Sequence, residues 1–393
     1  MIRNMPNSVK KPLSYFIYLV LGLWCIVCIY DFTFYWKIYP DLAHFVSRLS
    51  KFIRAFLIIY FLFYWNNIKD YKKLFLFAVF IVFSFVSNSC TKNWYFFDIF
   101  FAPLFLSFYI CRKKLLNTLF FFSCIALVSV FVFYSFDLLP SLSFNRDDFT
   151  RYALGYVHPN ALGFVVLFIC VLVVLKKQML SIYDRVFLLV AVCFCVLVPN
   201  SNTAALLISL LFVFSFVSDY LLKQNNSERR ASFLIRIVLF FIFSVIVLTY
   251  LISYSEACVS FIQSHAGTLS ARFSMGKAAM DHYGLSLFGQ HINTVLDYDV
   301  QVLGKTDYFT VDCAYFYVPI TYGTLCYLFY LLVLVFSIKS ALNKKYYEMI
   351  GVFVLIALYG VSEVVIFSPL FMFVFLVAFV PQRIVDKSEQ NCN

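Results

Sequence analysis

Charge is the scarcest property of this chain. Only 13% of its 393 residues are Asp, Glu, Lys or Arg, and 63% are hydrophobic. An ordinary soluble domain carries about 25% charged residues, so a soluble globular class is excluded. Strict apolar–polar alternation is also lacking, which excludes a transmembrane β-barrel. The apolar runs are instead continuous and recur at about 20 residues, the length with which a helix crosses a bilayer. The expectation is an all-α polytopic membrane protein. No repeat relates the two halves, which counts against transporters built from related halves. No low-complexity tail or separate soluble domain stands out, so a single integral membrane domain over 1–393 is expected. A scaffold or sensor would need a cytoplasmic domain. The 12 cysteines follow no metal-ligand spacing. Cys25 and Cys28, like Cys193 and Cys195, fall inside apolar helices as packing residues, and Cys258 with Cys313 is the pair able to meet outside the membrane. No acidic cluster is suited to a metal.

What is present is a series of apolar segments. They run at about 13–30, 45–65, 74–90, 94–111, 115–136, 160–175, 183–198, 203–222, 233–252 and 313–336. The first follows Lys10 and Lys11 like a signal sequence but lacks a small-residue cleavage site, so it reads as a retained anchor. Arg48, Lys51 and Arg54 crowd the start of the second. The stretch 348–381 is too long for one span and is broken by SerGluValValIlePheSerPro at 362–369. Dividing it there gives about 12 transmembrane helices.

The net charge of +11 suggests nucleic acid only until its distribution is considered. Compact groups such as Arg3, Lys10 and Lys11, then Arg112, Lys113 and Lys114, then Lys339, Lys344 and Lys345 fall between apolar blocks. With the N-terminus inside, 20 of the 31 Lys and Arg residues lie in inside segments and 9 in outside ones. The positive-inside rule then makes both termini cytoplasmic and the polar loops 137–160 and 253–312 external.

Those loops carry the candidate chemistry. Pro159 suits the first position of a helix and leaves His158 as its cap. The free N–H groups there favour an anion, with Arg151 near; an ordinary capped start with an interfacial Arg explains the same residues. Asn200, Ser201 and Thr203 can cap the next outward-facing helix start. In the long loop, ThrLeuSerAlaArgPhe opens a short helix. Phe273, Gly276, Met280 and Tyr283 recur along it, and Gly284 stops it. Arg272 is expected in its first turn, and Lys277 pairs with Asp281 four residues on. Asp312 stands at the head of the following span as an N-cap or a proton acceptor, with Tyr315 and Tyr317 beyond it. Glu363 is a lone acid within a late span and so a functional candidate; a capping or helix-pairing role fits equally. Asp98 and Asp31 are weaker cases.

Several short pieces resemble the bacterial O-antigen and capsule (exopolysaccharide) repeat-unit polymerases, relatives of the O-antigen ligases. They are Arg151 with GlyTyrValHisProAsnAlaLeuGly at 155–163, SerAsnThr at 201–203, LeuSerAlaArgPhe at 269–273, LeuPheGlyGln at 287–290, and AspCysAlaTyrPhe at 312–316 followed by TyrGly at 322–323. Their order covers about the last two-thirds of the chain. Related ligases tend to carry His-Asn where this chain has Asp312-Cys313. The resemblance implies a glycosyltransferase-C-like membrane architecture in the bacterial cytoplasmic membrane. The implied activity is metal-independent and cofactor-free, and joins undecaprenyl-pyrophosphate-linked oligosaccharides at the external face. It further implies a chain-length regulator and a flippase as protein partners, and no nucleic acid. Arg151, Arg272 and Asp312 are the catalytic candidates; His158, Asn160, Tyr315, Lys277 and Glu363 are the substrate-binding ones. The two arginines would hold the leaving diphosphate. Of two proton acceptors, His158 and Asp312, the reading favours Asp312, because a base should be offset from the leaving group. The alternative class is a transporter or flippase of a lipid-linked or anionic solute.

Overall fold

The computed structural model describes residues 7–65, 71–140, 143–146, 149–224, 228–265, 267–293 and 309–380. The basic residues Arg3, Lys69, Lys305, Arg383 and Lys387 lie outside them. Helices make up 82% of the structure, and one two-stranded hairpin is the sheet among the described residues. Six helices there are long and apolar enough to cross a membrane: Leu74–Thr91, Arg112–Ser135, Pro159–Lys176, Asn202–Lys223, Arg230–Tyr254 and Thr324–Asn343. Shorter apolar helices cover Tyr15–Tyr30, Tyr95–Leu106, Glu348–Ser362 and Pro369–Phe379. The chain is therefore all-α and membrane-embedded. It falls into two compact units, each assembled from separate stretches.

The first unit comprises residues up to Leu74, Phe101–Tyr220 and the stretch from Met372. It holds α1 (Asn7–Tyr30), α2 (Tyr35–Ile38), α3 (Pro40–Trp65), α6 (Arg112–Ser135), β1 (Ser143–Arg146), β2 (Phe149–Tyr152), α7 (Pro159–Lys176), α8 (Ile182–Leu197) and α9 (Asn202–Lys223). Helices α1 and α6 are joined by hydroxyl and thiol contacts, Tyr30 to Ser129 at 2.7 Å and Cys25 to Ser123 at 3.2 Å. The α7 helix is apolar on all sides and buried from Ala161 to Leu175. Such a helix belongs in an interior, because it has no polar face to offer water. At its far end Arg112 donates to Leu175 O at 3.1 Å, placing a cation where the helix dipole favours one.

The second unit comprises Phe75–Phe100 and Leu221–Phe371. It includes most of α4 (Tyr71–Thr91) and of α5 (Tyr95–Phe101), then α10 (Glu228–Tyr254), α11 (Glu256–His265), α12 (Gly267–Tyr283), α13 (Ala314–Thr321), α14 (Thr324–Asn343) and α15 (Glu348–Ser362). A short 3-10 turn, Val364–Phe367, follows, and then α16 (Pro369–Phe379), of which the part from Met372 belongs to the first unit. The break expected at 362–369 is thus present.

Three expectations about elements are corrected. The segment at 94–111 is not one helix: α5 passes into a π turn at Ala102–Leu106 and a 3-10 turn at Ser107–Tyr109. Pro103, which has no N–H to give an α ladder, lies in the π turn. The segment at 313–336 is two helices, α13 and α14, parted at Tyr322–Gly323. Among the described residues of the loop over 253–312, α11 precedes α12, so a second helix stands beside the one expected.

The break between α13 and α14 is closed by the loop after α12. Gln290 N–H donates to Thr321 O at 2.9 Å, Thr324 N–H to Ser286 O at 2.9 Å and Leu325 N–H to Leu287 O at 3.3 Å. Such donors and acceptors must find partners inside the protein when apolar surroundings offer none. The approach needs glycine on both sides. A Cβ on Gly289 would lie 2.4 Å from Thr321 O, and one on Gly323, whose φ is +90°, 2.4 Å from Gly289 N. LeuPheGlyGln and TyrGly, separate pieces of the sequence resemblance, are therefore parts of one junction.

Candidate functional site

Two polar groups emerge, one in each unit. In the first, the 137–160 segment folds back as the β1–β2 hairpin, with Phe144 opposite Arg151. Tyr152 N–H donates to Val198 O at 3.2 Å and Val157 N–H to Phe32 O at 2.9 Å, so β2 and the stretch after it are tied to the turn before α9 and to the end of α1. His158 caps α7 as expected: its Nδ1 accepts from Asn160 N–H at 3.0 Å, with Pro159 at the first helical position. An accepting Nδ1 requires a ring unprotonated at that nitrogen.

Arg151 is only 7% exposed. Its Nε donates to Pro199 O at 3.1 Å and an Nη donates to Asn160 Oδ1 at 2.6 Å. Ser201, at the head of α9, donates to the same Asn160 oxygen at 3.4 Å. Arg151, His158, Asn160 and Ser201, from three pieces of sequence, thus form one network. The Arg spans two chain segments by its fork geometry, which a single ammonium would not reproduce.

In the second unit, Arg272 lies between two carboxylates. Its Nη is 2.8 Å from Glu363 Oε1, and its Nε is 3.7 Å from Asp312 Oδ2. The Arg272 and Glu363 side chains are 16% and 11% exposed, and Asp312 is 35% exposed, so Asp312 is the more open of the two acids. Glu363 is therefore not a lone acid: it ends α15 as its C-cap residue and is the partner of a residue 91 positions earlier.

Other placements differ from expectation. Arg272 is not in the first turn of its helix, because α12 begins at Gly267. Asp312 does not cap α13. The cap position is Cys313, with no side-chain bond, and Asp312 instead accepts from Thr310 Oγ1 at 3.1 Å. Nor is Asp312 offset from Arg272, which it adjoins. Tyr315 does not line an open site: it is 3% exposed and donates to Ala357 O at 2.7 Å, while its own carbonyl accepts from Tyr250 Oη. Lys277 and Asp281 form no ion pair; the Lys277 ammonium sits 5.5 Å from the centre of the Tyr254 ring. Cys258 and Cys313 are both free thiols, the second buried. What sequence reasoning missed is Thr310, which orients Asp312. A hydroxyl two residues before an acid was the available signal.

No family model, curated protein or solved structure matches this chain.

Proposed function

We propose that the chain is a polysaccharide polymerase. It joins undecaprenyl-pyrophosphate-linked repeat units into O-antigen, capsule or exopolysaccharide at the external face of a bacterial cytoplasmic membrane. The observation carrying this reading is the Arg272–Asp312–Glu363 cluster in an otherwise apolar chain. The topology proposed with it has twelve spans, both termini cytoplasmic and the segments 137–160 and 253–312 outside.

In the proposed reaction an acceptor hydroxyl attacks the anomeric carbon of a sugar on the lipid carrier. The carbon–oxygen bond to the carrier breaks, and polyprenyl pyrophosphate leaves with the bond electrons. Asp312, held by Thr310 and Arg272 yet a third exposed, takes the hydroxyl proton. A positioned base contributes about 10²–10⁴-fold. Glu363 holds Arg272, and Arg272 keeps Asp312 in place. The Arg151 network of the first unit is proposed as a site for an anion such as a diphosphate, favoured by the positive end of the α7 dipole.

The test uses purified protein and synthetic lipid-pyrophosphate repeat units, with products read as a ladder. Asp312→Asn is expected to bind donor and make no ladder. A normal ladder from Asp312→Asn removes that residue from the chemistry. Sidedness is checked by single-Cys labelling in a Cys-free background; labelling of the 253–293 region only from the cytoplasm overturns the mechanism.

One observation favours a second reading. Helices interrupted at Ala102–Leu106, at Tyr322–Gly323 and at Glu363–Ser368 are a feature of transporters that bind solutes at broken helices. Translocation of a fluorescent lipid-linked saccharide in proteoliposomes, with no ladder formed, would establish the carrier instead.

A further inference from the structure

Helices α11 and α12 face one another with stripes of unusual composition. On α11 the facing residues are Glu256, Val259, Ser260 and Gln263; on α12 they are Ser274, Lys277, Ala278 and Asp281. Both sets recur at three and four residues, so each is one face of its helix. Packed helices ordinarily turn apolar stripes toward each other. Here α11 buries none of its residues, and its largest apolar side chain, Phe261, is 66% exposed. Between the helices, with Ser253 of α10 as a floor, lies a cleft of about 350 Å³. That is at the small end of the range for small-molecule sites, about 300–1,000 Å³.

The polar groups of the cleft do not bond across it. Among the described residues Glu256, Gln263 and Asp281 make no side-chain hydrogen bond or ion pair, and Lys277 meets only the Tyr254 ring. Two carboxylate acceptors, an ammonium donor and an amide that is both thus surround one small volume. A diphosphate does not suit it, because two carboxylates outnumber one cation. An apolar chain does not suit it, because it would strip those charges of water without return. A ligand of many hydroxyls does suit it, because each hydroxyl donates once and accepts twice. The half-exposed Tyr254 ring adds a flat apolar surface beside the ammonium, suited to one face of a sugar ring.

We propose that the α11–α12 cleft is a sugar-binding subsite for a single pyranose of the acceptor saccharide. This rests on the polymerase reading for its role, though not for its chemistry. Lys277 and Asp281 follow Arg272 on the same helix by five and nine residues. At 1.5 Å per residue they lie about 7.5 and 13.5 Å further along the axis. A chain whose reactive hydroxyl approaches Asp312 could thus rest a neighbouring ring in the cleft.

The experiment uses the full chain in lipid nanodiscs. A panel of methyl glycosides (hexoses, N-acetylhexosamines and a hexuronate) is screened by saturation-transfer difference NMR. At least one is expected to give a signal that falls tenfold or more in Glu256→Gln/Asp281→Asn and in Lys277→Gln. Glu256→Gln and Asp281→Asn keep side-chain shape at exposed positions, Lys277→Gln shortens a half-buried one, and folding of all is checked by thermal unfolding. In the ladder assay the same substitutions are expected to raise the KM for repeat unit several-fold more than they lower kcat. If wild-type protein makes a ladder but no glycoside binds, or the signals survive the substitutions, the subsite is overturned and the polymerase stands. If the substitutions abolish glycoside binding in a protein that makes no ladder, the subsite stands and the polymerase reading falls.

Discussion

Arg151 is buried and Arg272 mostly so, yet the partners described for them differ in kind. Arg151 donates to a backbone carbonyl and a side-chain amide, and so ties the β1–β2 hairpin to α7 and to the turn before α9. Its worth lies in direction, because the fork reaches two acceptors at once. Arg272 has carboxylates on two sides, and its worth lies in charge. A buried ion pair is costly to assemble and costlier to break from one side. The comparison separates two uses of the same side chain, one as a geometric clamp and one as a counter-charge.

The largest effect is expected from removing the counter-charge. Arg272→Met takes away the cation bonded to buried Glu363, a loss of about 3–5 kcal/mol, measured by denaturant unfolding in detergent. Arg272→Met/Glu363→Leu should regain most of it; a double variant as unstable as the single one would show that charge is not what the cluster supplies.

A smaller and opposite contrast follows with lysine. Arg151→Lys keeps the charge but loses one of two directed bonds, each of about 1.5–3 kcal/mol when the donor is charged. Arg272→Lys keeps a cation beside both acids and should cost less than Arg151→Lys in the same unfolding experiment. In the ladder assay Arg151→Lys is expected to weaken donor binding, whereas Arg272→Lys lowers turnover with donor bound. Equal stability losses, or full activity in both variants, would erase the distinction between clamp and counter-charge.

The smallest effect sharpens the first group alone. His158→Ala removes the α7 cap and should cost about 1 kcal/mol, while His158→Asn, a good cap, should cost less. Comparable losses in the two would mean that His158 matters for something other than its cap.

The parts of the fold that were legible were those set by near neighbours in sequence. His158 and Pro159 marked the start of α7, Gly284 the end of α12 and Glu363–Ser368 a break, because caps and stops are local chemistry. The break at Gly323 was hidden, since apolar composition runs through it and its hydrogen bonds come from residues 286–290. Helix α11 was hidden for the reverse reason: it is polar on the face that hydropathy would need to be apolar. Arg272, Asp312 and Glu363 were each picked out as rare ionisable residues. Their meeting was not legible, because tertiary packing joins them across 91 positions and no periodicity encodes that. The Lys277–Asp281 pair failed because four-residue spacing permits a contact worth only a few tenths of a kcal/mol, and the Tyr254 ring lies within reach.

The junction at Gly289 and Gly323 also has an order in time. A ribosome delivers residues 286–290 before residues 321–325, so the segment that closes the break already exists when the break emerges. Domains form in that N-to-C direction during synthesis. The interrupted backbone between α13 and α14 need not wait in lipid for a later stretch of chain to supply its partners. A circularly permuted gene that placed residues 284–293 after α14 would reverse the order while keeping every contact. Its product should insert poorly during synthesis yet be as stable as the parent once assembled.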